Sequence, residues 1–497
     1  MQPLEPACGR VIAARLKKET NTMKVKQFLG WASALSLSAG ALQAQEATAL
    51  DQVQKQMKQL QENFDRIVKE QQKQIESLNQ QLNEMRKSTA TSNAVSAAAP
   101  PGAPAAGALE RKPWSPTDPI RLVGNQQNFL NLSFDALVAA GWSTAEDVES
   151  LQLGGHDPKQ RGFTVQNLET TFDGKVDPYF RGQANIVLQI DPEGETTIEA
   201  EEAYLETMSL PWNLQVKAGQ YFSEFGRLNA THPHTWDLVD QPLVNGRFFG
   251  EDGLRNPGAR VSWLAPTPFY SELFLGVQNS QGETAFSFRD THEDGYLFGR
   301  PAEETRVKGF GDLLYVPRYA ASFNLTDEQT LVLGASGAFG PNASGQHTDT
   351  QIYGADLFYK WKSRNHSKGF PFVTWQTEGM YRRYEAAAFG GDANQPVALP
   401  SETLRDWGLY SQLSYGFRPR WIASLRGDYV TGDKAAFSPD PDRDTRWRIA
   451  PALTFYPSEF SKIRLQYNYD DRENIGTDHS IWIQFEFLLG AHAAHKF

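Results

Sequence analysis

Apolar residues fall at every second position through the last patterned stretch of the chain. They are Ile481, Ile483, Phe485, Phe487 and Leu489, with Ser480, Gln484 and Glu486 between them. A period of two belongs to a β-strand with one apolar and one polar face. The same alternation runs through Leu130, Leu132, Phe134, Ala136 and Val138, and through Ala184, Ile186, Leu188 and Ile190. It returns in Leu409, Leu413, Tyr415 and Phe417, and in Ile463, Leu465, Tyr467 and Tyr469. From Asn128 onward there are about 16 such segments, starting near residues 128, 161, 179, 197, 213, 257, 269, 315, 329, 349, 370, 404, 420, 444, 462 and 479. Each is long enough for the roughly 9–11 tilted residues that cross a bilayer as a strand.

The junctions between these segments supply an independent constraint. Even-to-odd junctions are tight, reading "DP", "SLPW", "APTP", "TDEQ", "FRPR" and "YPSE", whereas odd-to-even junctions include Ser143 to Gln160, Ser223 to Asn256, Ser280 to Leu314 and Ala386 to Glu402. Short turns on one side and long loops on the other are the plan of a membrane-spanning barrel. Tyr179, Trp212, Trp263, Trp375, Trp421 and Tyr456 lie beside the short turns, where an interfacial aromatic girdle belongs. The fold expected is an all-β transmembrane antiparallel barrel over residues 120–497, with the apolar face of each strand toward lipid and the polar face toward a lumen. A closed barrel is one of two structures that satisfy every backbone hydrogen bond inside a bilayer.

The N-terminal segments agree with export. Lys24 and Lys26 precede an apolar run from Phe28 to Leu42 with small residues at Ala39, Ala41 and Ala44, the arrangement of a secretory signal over residues 23–44. Met23 then reads as the natural start, with residues 1–22 upstream of it. Residues 45–90 carry Leu50, Val53, Met57, Leu60, Phe64, Val68, Ile75, Leu78, Leu82 and Met85, mostly in steps of three and four with Gln71 filling one slot, a heptad seam with one stutter that predicts a periplasmic α-helical coiled coil. Residues 91–119, rich in Ala and Pro, read as a linker. The single cysteine, Cys8, precedes the signal, so the exported chain offers no disulfide or thiolate chemistry.

On this pattern, the chain resembles outer-membrane porins of diderm bacteria, whose final strand typically ends in a phenylalanine read by the barrel-insertion machinery; Phe497 stands in that place. Within porins it resembles the phosphate-selective porin O and P family, through strand count, loop order and the segment "LQVKAGQYFSEFGRLNA", similar to that family's Gly-x-Phe-x-x-Phe-Gly region. "SEFGRLNATHPHTWDLVDQP" also looks like barrel proteins labelled zinc-regulated outer-membrane receptors. The resemblance implies sixteen strands, a homotrimer, contact with lipid and lipopolysaccharide, and passage of small polar solutes. The alternative it leaves open is a receptor for uptake of zinc or a metal complex, akin to TonB-dependent receptors.

From residue 120 onward there are 33 Lys and Arg against 48 Asp and Glu, a balance of −15, which argues against simply carrying phosphate preference over. Placement says more. By parity Arg426, Arg446, Arg448 and Arg464 point inward as a basic wall, and Asp191, Glu202 and Glu206 sit across the ring as pore-lining candidates, with the parity of the fourth strand ambiguous. These arginines either line the channel or pair with nearby carboxylates to brace it. The third long loop occupies the position that narrows many porins and carries Glu224, Arg227, Arg247 and Arg255. Within it "HPH" places His232 and His234 together, and with Asp237 or Asp240 they form a candidate N/O metal site. No catalytic nucleophile with its base, no cofactor-cradling loop and no nucleic-acid signature is evident in the sequence.

Overall fold

The computed structural model of the chain describes residues 119–124, 128–292 and 295–490. The signal segment, the heptad region, most of the linker and Phe497 lie outside the described residues. Sixteen antiparallel strands follow one another: β1 (Phe129–Ser143), β2 (Gly162–Lys175), β3 (Phe180–Ile190), β4 (Thr196–Thr207), β5 (Leu214–Phe222), β6 (Arg255–Leu264), β7 (Tyr270–Asn279) and β8 (Leu313–Thr326) form the first half. The second half is β9 (Gln329–Pro341), β10 (Asp349–Ser367), β11 (Phe370–Ala386), β12 (Glu402–Arg418), β13 (Trp421–Gly432), β14 (Arg446–Ser458), β15 (Ser461–Arg472) and β16 (Gly476–Leu489). Each start falls within three residues of the position expected from the alternation. β16 pairs back onto β1, with Ile483 opposite Ala140 and Phe485 opposite Val138, so the sheet closes on itself. A short segment, Ile120–Gly124, pairs with the first residues of β1 beyond the point where β16 ends.

Lipid-facing parity follows from the pairings. Leu413 stands opposite Leu425, Leu425 opposite Pro451, Leu453 opposite Leu465 and Leu465 opposite Ile483, a continuous row of apolar side chains, the large ones exposed. Aromatic rings frame that row at both ends. Trp421 packs on Phe455 next to the short turns, and Trp407 on Tyr429 and Trp447 on Tyr469 stand at the far side. Trp421 to Tyr429 is about 26 Å along the strand, enough to cross most of an apolar band about 25 Å tall.

The inner face requires a correction. The alternation predicts a hydrophilic lining, yet Val316, Ile352, Met380, Tyr410 and Val430 all belong to one buried cluster with Phe225, Leu243, Val244, Phe248, Phe249 and Leu254 of the third long loop. The loop enters the barrel with its own short helix, α1 (Leu243–Phe249), whose residues are all buried, and so covers inward apolar side chains that water would otherwise wet. Trp482 breaks the polar row of β16 for the same reason, packing with Ala139, Val148 and Val239.

The lipid-facing assignment is testable at Leu425, midway between the aromatic ends of β13. Leu425→Arg should lower unfolding stability by about 2–4 kcal/mol, while Leu425→Met should be nearly neutral, as read by urea titration in lipid vesicles.

Candidate functional site in the lumen

The third long loop spans residues 223–254, and its base is pinned before it crosses the lumen. Asn229 donates to the carbonyls of Ser223 (2.9 Å) and Leu254 (3.0 Å) and accepts from Leu254 N–H (2.8 Å), tying the two ends together. Phe225 lies over Gly354 of β10, where an added Cβ would stand 2.6 Å from its ring. Gly226 has φ of +59°, and a Cβ there would meet the Glu378 carboxylate at 2.0 Å. That close approach lets Glu378 of β11 accept from the N–H groups of Arg227 (3.0 Å) and Leu228 (2.9 Å). The Phe-Gly-Arg of the sequence motif is therefore an anchor to the opposite wall.

Farther along, the loop meets the basic wall. Asp240 receives Arg426 Nη2 at 2.7 Å, Arg448 Nη1 at 2.8 Å, Gln466 Nε2 at 2.9 Å and Asn468 Nδ2 at 2.6 Å. Arg426 also pairs with Asp428 (2.7 Å), and Arg448 and Arg446 share Asp470 (2.9 and 2.8 Å). Arg464 donates to the carbonyls of Leu238 (2.9 Å) and Trp236 (2.6 Å) and to Gln484 (2.7 Å). The parity reading places all four arginines inward, and there they lie, but each is buried and spent on the loop or on carboxylates of the wall. Two guanidinium charges hold the Asp240 carboxyl below the usual aspartate range against the opposing effect of burial.

The acidic wall lies on β2 and β4. A bulge in β4 leaves Glu201 without a partner in the pairing to β3, between Glu202 opposite Asn185 and Ala200 opposite Ile186. Both Glu201 and Glu202 are consequently buried on the inside, which is why parity alone could not place this strand. His232 Nδ1 stands 2.7 Å from Glu201 and 3.6 Å from Glu169, and its Nε2 stands 3.1 Å from Glu202. His234 Nδ1 is 3.4 Å from Glu169, and His156 of the first loop is 3.4 Å from Glu201. Burial disfavours the charged form of His232, yet the Glu169 and Glu201 carboxylates outweigh it and raise its pKa well above the ordinary imidazole value.

This arrangement corrects the pairing expected from sequence. The histidines of "HPH" do not meet Asp237 or Asp240: Asp237 accepts from Gln412 (2.9 Å) and Ser414 (2.8 Å), and Asp240 is held by arginines. The backbone turn after His234 carries the aspartates to the opposite wall, while Glu169, Glu201 and His156, which the sequence did not single out, close around the histidines. Glu169 was findable, since it alternates with Leu168 and Thr170; Glu201 was hidden by its bulge.

The remaining candidates divide in the same way. Glu224 pairs with Arg260 (2.6 Å), Arg255 pairs with Glu199, and Arg227 lies 4.0 Å over the Phe358 ring. Arg247 on α1 donates to the carbonyls of Asp444 (2.7 Å) and Pro441 (3.3 Å). Glu206 stands 4.0 Å from Arg181, and Asp191 lies past the end of β3, where it caps a turn by accepting from Glu195 N–H (2.7 Å). On the long-loop side a cavity of about 520 Å³ is lined by charges of both signs, among them Arg247, Arg446, Arg472, Asp442, Asp444 and Glu473.

No known family model matches the chain. It is 33% identical over 372 residues, covering 69% of its length and 73% of the other's, to an uncharacterized protein of Aquifex aeolicus. Among solved structures, an anion-selective porin from Comamonas acidovorans is similar over 73% of this chain and all of its own, at 7% identity and a TM-score of 0.44. Salmonella typhi OmpF, solved with daunomycin, is similar over 74% of this chain and 99% of its own, at 12% identity and a TM-score of 0.43.

Asp240 is the residue on which the loop's attachment to the basic wall converges. Asp240→Asn removes one of two carboxylates from each of Arg426 and Arg448 and should cost about 1–3 kcal/mol, with faster cleavage of residues 223–254 by an added protease. Because the folded-state pKa of Asp240 is depressed, its contribution is complete above about pH 4 and lost as pH falls through the lowered value. The stability gap between wild type and variant should narrow in that acid range.

Proposed function

We propose, for a chain that belongs to one family with the Aquifex aeolicus protein, that it is an outer-membrane porin: a narrow, water-filled channel for small polar solutes. The observation that carries this reading is the division of the barrel wall. Exposed large side chains on the outside are apolar, while β2, β3, β4, β13, β15 and β16 present Asn167, Glu169, Asn185, Glu202, Ser424, Arg426, Gln466, Asn468 and Gln484 inward. A ring of strands with that polarity offers hydrated solutes a path through lipid. Passage is set by the loop across the lumen more than by wall charge alone. Arg426 and Arg448 are matched by Asp240, Asp428 and Asp470, so the proposal is size-limited entry of ions of either sign, phosphate included, rather than an anion filter. The charged cavity beside Arg247 and Arg446 is its external vestibule.

The same proposal places the barrel in the outer membrane of a diderm bacterium, against lipid and lipopolysaccharide, as a homotrimer with a periplasmic coiled coil.

Planar-bilayer recording tests it. Folded wild-type protein should give small discrete conductance steps with a reversal potential near zero in a salt gradient, and Asp240→Asn should raise the unitary conductance by loosening the loop. Absence of steps from both proteins, each shown to be folded by heat-modifiable migration, would overturn the proposal.

A further inference from the structure

The acidic wall holds more carboxylate than a structural brace needs, and its geometry converges on a point. His232 Nδ1 lies 2.7 Å from Glu201 Oε2 and 3.6 Å from Glu169 Oε2, and His234 Nδ1 lies 3.4 Å from Glu169 Oε2. Glu169, Glu201 and His232 already satisfy the spacing of a three-ligand cation site, and all are buried. A tetrahedral zinc with bonds of about 2.0–2.1 Å sets its ligand atoms about 3.3–3.4 Å apart; the observed edges bracket that length. A shared proton links two atoms, whereas a cation links all three.

The surroundings are those of ligands held in place. His232 Nε2 is oriented by Glu202 (3.1 Å), and Glu169 Oε1 accepts from Thr171 (3.0 Å) and from Asn185. His156 Nδ1 lies 3.1 Å from the Gln166 carbonyl, a contact that leaves its Nε2 facing Glu201. Among the described residues, the ion pairs of Glu201 and Glu202 are to histidines and not to Lys or Arg. An imidazole among the donors favours a first-row transition ion over calcium or magnesium.

We propose that Glu169, Glu201 and His232 form a binding site for one divalent transition-metal ion, with zinc as its natural probe, inside the lumen. The ion would fasten the third loop to β2 and β4 on the side opposite Asp240. This site is independent of which solute the channel passes, and its occupancy does not depend on a conducting pore.

The experiment uses untagged, folded full-length barrel in detergent, stripped with chelator and titrated with zinc alone by calorimetry, and with cobalt(II) followed by visible absorption. One zinc per chain is expected, with the intense visible bands of tetrahedral cobalt(II), quenched when zinc is added and unaffected by excess magnesium. Glu201→Gln and His232→Asn should each weaken zinc binding by about 100-fold or more, while Asp237→Asn should keep it. A wild type that binds no zinc saturably and stays colourless with cobalt overturns the proposal even if the wall variants fail to fold. Folded Glu201→Gln and His232→Asn proteins that bind zinc as the wild type does overturn it as well.

Discussion

Charge is separated across the lumen of this barrel, and the position of everything inside depends on that separation. Arginines crowd β13, β14 and β15, while glutamates crowd β2 and β4. The loop between β5 and β6 reads histidines first and aspartates next, so it can lie across the lumen in one direction only, His232 and His234 toward acid and Asp240 toward base. Reversed, it would place like charges together at low dielectric, where such contacts cost the most. Asp240 adds a second carboxylate to two buried arginines, Arg426 beside Asp428 and Arg448 beside Asp470, and so offsets part of the cost of burying them.

Packing makes that orientation rigid. α1 and Phe225 fill the side of the barrel formed by β8 to β13, and small residues admit them: Gly354 under Phe225, and Gly226 against Glu378. The apolar seat and the charged clasps fix the same segment at several points. A lumen built in this way is narrowed by the loop that crosses it.

The outer surface was legible in the sequence because lipid imposes one rule on every strand. Leu413, Leu425, Leu465 and Ile483 obey a period of two whatever the loops do, and the strand boundaries follow from it. The inner surface obeys several rules at once. Trp482, Val430 and Met380 break the alternation, and each break marks a place where a loop or helix sits; read as signals, they predict docking points that parity alone cannot identify. The partners remain out of reach from sequence, since Asp240 and Arg448 are brought together only by closure of the ring. Glu201 was lost to a bulge, a one-residue event that shifts parity without altering composition.

The third loop is strapped to both walls, and the backbone amides of its middle report on this most directly. Val239 N–H donates to Gln466 (2.7 Å), Gln241 N–H to Asp157 (2.8 Å) and Leu243 N–H to Asp428 (3.2 Å), all buried. Hydrogen exchange of the folded barrel in lipid nanodiscs, read over residues 238–243, should show protection of the same order as the strand amides of β13 and β15. Exchange of those amides at the rate of an unstructured loop would contradict the account.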